Sequence, residues 1–98
     1  MSIERFDDVM RSPKPASAPM PMSEVKSINK PFKRIAHVKT SNGMFAPSSE
    51  GALEELKVRA RQLGGDAIAN AKLFTVYGSH GTNHFWEGDI LIFQAGNR

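Results

Sequence analysis

Apolar residues along the chain fall into three patterns, and each predicts a different element. Leu53, Leu56, Ala60 and Leu63 recur at three- and four-residue steps, laying one apolar stripe along a helix. Ser48 or Ser49 offers an N-cap oxygen and Glu50 a negative charge in the first turn. Lys57, Arg59 and Arg61 suit the negative end of the dipole, and Gly64-Gly65 supplies a left-handed stop. Two segments alternate instead. In Phe32 to Thr40, Phe32, Ala36 and Val38 share one face, and Lys33, Ile35, His37 and Lys39 the wetter other, which predicts a strand. Asp66 to Tyr77 predicts a longer one, with Ala67, Ala69, Ala71 and Leu73 on one side. Small alanines there let the leucine stripe of the helix approach closely. Phe74 and Val76 break that parity and mark a bulge or a face turned to a second apolar partner. The third pattern is a continuous apolar run, Ile90 to Phe93, inside a strand spanning Phe85 to Ala95.

Turn chemistry separates these pieces. Val25 to Ile28 forms a short strand closed by Asn29, Lys30 and Pro31, and Ser41-Asn42-Gly43 opens a loop reaching Pro47. The Gly-rich stretch Gly78 to His84 joins the last two strands as a hairpin. The expected fold is α+β: a small mixed sheet of three to four strands with one packed helix, in the order β-β-α-β-β. A strand–helix–strand crossover makes one pair parallel, in the right-handed sense.

Residues 1–23 read as a flexible, disordered tail ahead of a single domain at 24–98. Ser12 to Ser23 is rich in Pro, Ser and Ala and propagates neither helix nor ladder. Ile3, Phe6, Val9 and Met10 have helical spacing, but the segment is too short to hold a helix in water. It is a frayed terminus or a docking peptide for a protein partner.

The run at Ile90, Leu91, Ile92 and Phe93 carries the sharpest expectation. Neighbouring strand residues point to opposite faces, so both faces of this strand need cover. The sequence offers one firm helix. Burying each of these side chains is worth about 1.5–3 kcal/mol. A second cover comes from an identical subunit, from another protein, or from the chain itself through Met20, Met22, Val25 and Ile28. Self-association is the favoured reading, with Ile90 to Phe93, Phe74 and Val76 as interface.

The helix and the strand after it, ALEELKVRARQLGGDAIANAKL (Ala52 to Leu73), resemble the core of the YbjQ-type heavy-metal-binding family and its RcsF-like relatives. The shared features are a helix ending in a Leu-Gly-Gly-Asp-Ala stretch at Leu63 to Ala67, and a Lys-Pro turn before the strand in SINKPFKRIAHV. Ala36 stands where that family usually has glycine. The resemblance implies a small α/β domain and, in the YbjQ branch, ring-like homo-oligomers. The lipidated cysteine of the RcsF-like branch is missing.

Composition narrows the rest. The chain has 98 residues, enough for one domain, and 40% hydrophobic with 23% charged residues is ordinary for a globular protein. It has no cysteine, which excludes disulfides, thiolate metal clusters and cysteine nucleophiles. No signal peptide or membrane span is evident, and a cytoplasmic location is expected. The net charge of +3 is scattered rather than gathered on a patch, which disfavours nucleic acid as partner.

Candidate chemistry clusters near the hairpin. His80 and His84, with Glu87 and Asp89 following, have ligand types for zinc, nickel or copper, and metal-ion binding by this loop is the alternative function. Ser79, His80 and Asp89 lack the context that presents a nucleophilic serine. Glu54 and Glu55 sit side by side on the helix and point apart. Gly78 and Gly81 precede no helix, so they make no phosphate loop. Tyr77, Phe85 and Trp86 pack at a hairpin end or stack on a ligand beside Arg34 or Lys72. The expectation is a non-enzymatic, self-associating or partner-binding domain without an obligatory cofactor.

Overall fold

The computed structural model describes residues 2–40, 49–78 and 81–94. Along the chain run β1 (Ser2–Arg5), β2 (Met22–Ser23), a 3₁₀ turn (Val25–Ser27), β3 (Phe32–Lys39), α1 (Ser49–Gln62), β4 (Ala67–Gly78) and β5 (Gly81–Phe93). The strands form one mixed sheet of five in the order β1-β3-β5-β4-β2. The coarse α+β expectation holds. The strand count and order differ, because both ends of the supposed tail join the sheet.

The last strand explains the arrangement. β5 lies in the middle, antiparallel to β3 and to β4, so β3 and β4 run parallel with β5 inserted between them. The crossover predicted from the sequence is real, but its two strands are not neighbours. A strand between two others is screened on both flanks, and Ile90 and Leu91 are each 0% exposed. Ile92 and Phe93 are partly buried.

Two parallel connections cover the two faces. β3 passes through α1 to β4 in one direction across the sheet; β2 passes through the 3₁₀ turn to β3 in the other. Right-handed crossovers of opposite direction lie on opposite faces. On one face, Leu56 and Ala60 of α1 pack with Ile35, Ala36, Val38, Ile68, Ile90 and Met20. On the other, Val25 and Lys26 border the same groove as His37, Glu87 and Asp89. Lower on that face the Lys30 ammonium sits 4.8 Å from the centre of the Phe93 ring. The second cover is therefore the chain's own, and the mismatch read from residues 90–93 is resolved inside one subunit.

Val25 to Ile28 is a turn rather than a strand. The Ser27 hydroxyl and amide both donate to the Glu24 carbonyl, at 2.8 and 3.0 Å, and this local closure competes with ladder pairing. Residues 2–23 are tied down by main-chain bonds more than by apolar periodicity, which is why pattern reading passes over them. Phe6 N–H donates to Ile35 O, Lys14 N–H to Arg61 O, and Ile68 N–H to Pro21 O. Edge strands tolerate charge and nearby proline because one side of the backbone needs no partner. Ile3, Phe6, Val9 and Met10 remain exposed, and β1 places the first of them in a strand rather than a helix.

Helix α1 ends as the glycine pair predicts. Gly64 adopts φ +78°, with Gly64 N–H bonding Arg61 O and Gly65 N–H bonding Ala60 O, the two bonds of a Schellman stop. Gly65 also sits where a Cβ would collide with Ile90 Cγ2, so the stop doubles as a close approach of the chain to the sheet. The predicted cap at Ser48 and the loop at 41–47 lie outside the described residues.

Two bulges overturn the face assignments. Register slips between Arg34 and Ala36, so Ile35 joins Ala36 and Val38 in the core and Phe32 turns to the opposite face beside Phe93. It slips again between Ala69 and Lys72, where Asn70 takes φ 56°, a left-handed conformation that asparagine tolerates. Consequently Ile68, rather than Ala67 and Ala69, joins the core under the helix, and Ala71 packs against that same core. Ala67 and Ala69 share the other face with Phe74 and Val76.

Candidate functional site

The face away from α1 is ordered in rows. Phe32 aligns with Phe93; Arg34 and Ala67 flank Leu91; His37 and Ala69 flank Asp89; Lys39 and Lys72 flank Glu87; Phe74 aligns with Phe85. The middle rows open into a groove of about 870 Å³ bordered by Met22 to Lys26, His37, Asn70 to Lys72, Glu87 and Asp89.

Its centre is an ion-pair network. His37 Nδ1 lies 2.8 Å from Asp89 Oδ1, and His37 Nε2 lies 3.6 Å from Glu87 Oε2. Asn70, aimed inward by its bulge, donates to Asp89 Oδ2 at 3.1 Å, and Arg34 Nε stands 3.6 Å from the same oxygen. The Asp89 side chain is only 17% exposed, so its partners replace lost hydration. The hydrogen bond to Asp89, then the charges of Asp89 and Glu87, hold the His37 imidazole above its ordinary pKa against partial burial. Glu4 of β1 sits in register beside His37 and adds a third carboxylate on this side.

Both ring nitrogens of His37 face carboxylates, so neither is directed at a hydroxyl to be activated. The arrangement suits a structural clasp or a polar binding surface. Because the folded pKa is raised, the stabilisation from His37 is complete below the unfolded value near 6.5 and is lost as pH rises through the folded value. The ring protons in an NMR titration are expected to move with a midpoint above 6.5. Between pH 6 and pH 9 the unfolding free energy of the parent should fall relative to that of His37→Gln. A flat difference would show that the clasp stabilises nothing.

Of the residues proposed from sequence as metal ligands, His84 and Glu87 lie on opposite faces of one strand. His80 lies outside the described residues. His84 is on β5 opposite Thr75, and its Nδ1 is 3.1 Å from Thr75 Oγ1. Glu87 is three residues on along the same strand, hence on the other face, where His37 engages it. Among the described residues no group of three or more His, Cys, Asp or Glu side chains is arranged to hold a metal ion. His37 was legible as part of a polar face, but its pairing with Asp89 depends on strand register.

The second notable surface is the hairpin. β4 and β5 continue pairing from Leu73↔Trp86 to Gly78↔Gly81. β3 ends where Thr40 N–H donates to Trp86 O and Thr40 Oγ1 accepts from Trp86 N–H. Beyond Trp86, among the described residues, the two strands pair only with each other and project as an arm, in a molecule extending 56 × 27 × 25 Å. The sequence suggested a seven-residue loop from Gly78 to His84; the strands instead stay paired as far as Gly78 and Gly81. Phe74 and Phe85 stack at 5.0 Å between centroids, and Lys39 Nζ lies 4.7 Å from the Phe85 ring centre. Leu73, Phe74, Val76 and Tyr77 are exposed, Tyr77 by 82%. Of the interface residues proposed from sequence, Phe74 and Val76 are thus at the surface, while Ile90 and Leu91 are not.

The described residues define a small α+β domain whose central strand is buried on both faces at Ile90 and Leu91 and which presents a charged groove and an apolar arm. No family model, curated protein or solved structure matches the chain. Nothing in those comparisons bears on the YbjQ-like resemblance. No described helix is long and apolar enough to cross a membrane.

Proposed function

We propose that this chain is a non-enzymatic assembly module that associates with copies of itself through the β4–β5 arm. The observation that carries this reading is the exposure of Leu73, Phe74, Val76 and Tyr77 on a two-stranded extension. An isolated two-stranded hairpin is marginal in water and gains most from further strands or an apolar surface. Exposed apolar side chains beside unpaired strand edges mark an association site. Residues 90–93 do not contribute to it, since Ile90 and Leu91 are buried within one chain.

Light scattering coupled to size-exclusion chromatography tests the proposal. The parent is expected to exceed monomer mass at micromolar concentration. Tyr77→Lys should weaken association at least about tenfold, as loss of an exposed aromatic anchor does, while its stability stays within about 0.5 kcal/mol of the parent. A parent that is monomeric throughout that range removes the proposal.

A further inference from the structure

The outer edge of β4 has a property that says which surface an identical copy would meet. β2 pairs with β4 only at Ile68 and Ala69, so from Leu73 to Gly78 this edge has no strand beside it among the described residues. The sequence there, Leu-Phe-Thr-Val-Tyr, is apolar on both sides of its centre. Placed antiparallel to itself about Thr75, it sets Leu73 opposite Tyr77, Phe74 opposite Val76, and Thr75 opposite Thr75. Aromatic–β-branched pairs such as Phe74 with Val76, and Thr–Thr pairs, are among the favourable cross-strand combinations.

Charge distinguishes this edge from the other side of the sheet. Identical chains carry the same net charge, +3, so association must avoid bringing like charges into register. Residues 73–78 contain no charged side chain, whereas β1 carries Glu4 and Arg5. Lys72, at the base of the arm, would fall opposite Gly78 of the other copy. The faces also match. Phe74, stacked on Phe85, would continue onto Val76 of the second chain, and Leu73 onto its Tyr77.

Resting on the assembly reading above, we infer that two copies of this chain pair antiparallel along the outer edge of β4, about a two-fold axis at Thr75. The two sheets then join into one, and each arm gains a third strand. The interface is isologous, as closed dimers require.

The absence of cysteine makes the register directly readable. In Thr75→Cys the two sulfurs face each other across the axis, within the roughly 4.4–6.8 Å Cα separation a disulfide needs. In Leu73→Cys the two copies stand four residues apart, roughly 13 Å at strand rise. Mild oxidation of the full-length variants should therefore yield covalent dimer at least ten times faster for Thr75→Cys than for Leu73→Cys. The double variant Leu73→Cys, Tyr77→Cys should also cross-link. As a check free of substitutions, amide exchange in the parent at residues 73–77 should slow when concentration is raised across the association range. If the parent associates but Leu73→Cys links as fast as Thr75→Cys, or exchange at 73–77 is unaffected by concentration, the two-fold register is wrong and the assembly reading survives. If the parent stays monomeric, both fall.

Discussion

Deleting residues 1–23 is expected to leave a chain that no longer folds stably at 37 °C. The segment supplies both edge strands of the sheet and a core side chain, Met20, which is 6% exposed among Ile68, Ile90 and Ala60. Losing its burial costs about 1.5–3 kcal/mol by area transfer. The deletion also removes Ala18 O, which accepts from Arg61 Nε at 2.9 Å, and Pro21 O, which accepts from Ile68 N–H at 2.9 Å. The latter donor belongs to a fully buried residue, and stranding a buried donor costs about 1–3 kcal/mol.

Asp66 links the same segment to the sheet. It accepts from Phe93 N–H at 2.8 Å and pairs with Lys14 Nζ at 2.8 Å. Burial alone would raise its pKa, but the Lys14 bond, the Phe93 amide and the charges of Lys14 and Lys30 outweigh it and hold the group below the usual carboxylate range. Together with the loss of both edge strands, these terms reach the lower end of the stability of a domain this size, about 5–15 kcal/mol. Circular dichroism of the truncated chain should show loss of the cooperative thermal transition, and Met20→Ala alone should keep a transition at lower temperature. A truncated chain that melts like the parent would mean residues 1–23 are the free tail that their Pro-rich composition suggests.

That contrast marks what a single sequence makes readable here. The helix was legible in stripe, dipole charges and stop, because each of those signals is local. The long strands were legible as segments, but not their faces. Counting by twos from Phe32 or from Ala67 assumes an unbroken ladder, and the slips at Ile35 and at Asn70-Ala71 each invert the count partway along. Asn70 gave a faint signal, being a residue type that tolerates positive φ inside an otherwise apolar strand. The edge strands left no signal, since a two-residue bridge such as Met22–Ser23 is fixed by the backbone it lies against. The groove was half legible. His37 belonged to a polar face from the start, but bringing it within 2.8 Å of Asp89 takes a pairing between residues 52 positions apart. The arm was masked by the assumption of a long loop, because Gly78, Gly81 and the polar residues between them read as turn chemistry over their whole length.

Leu91→Ala and Ile90→Ala are expected to destabilise the chain by similar amounts, about 2–5 kcal/mol each, the usual range for emptying a buried Leu or Ile site. The equality is the informative part. Ile90 points to α1, where Gly65 lets the helix come close, and any reading of the chain predicts a large loss there. Leu91 points the other way, between Arg34 and Ala67, on the face that no helix covers. It is nonetheless 0% exposed within one chain. If the connection from Glu24 to Pro31 is its cover, truncating Leu91 opens a cavity as costly as the one at Ile90. The loss should then be independent of protein concentration, because the cover is intramolecular. If a second subunit supplied the cover, the stability lost at Leu91 would grow with concentration in step with the parent's own association. If the face were wet, Leu91→Ala would cost no more than an ordinary surface change, within about 0.5 kcal/mol. Urea unfolding of the two variants at two concentrations a hundredfold apart separates these outcomes. It also separates the self-sufficient body of the sheet from the arm, where association belongs.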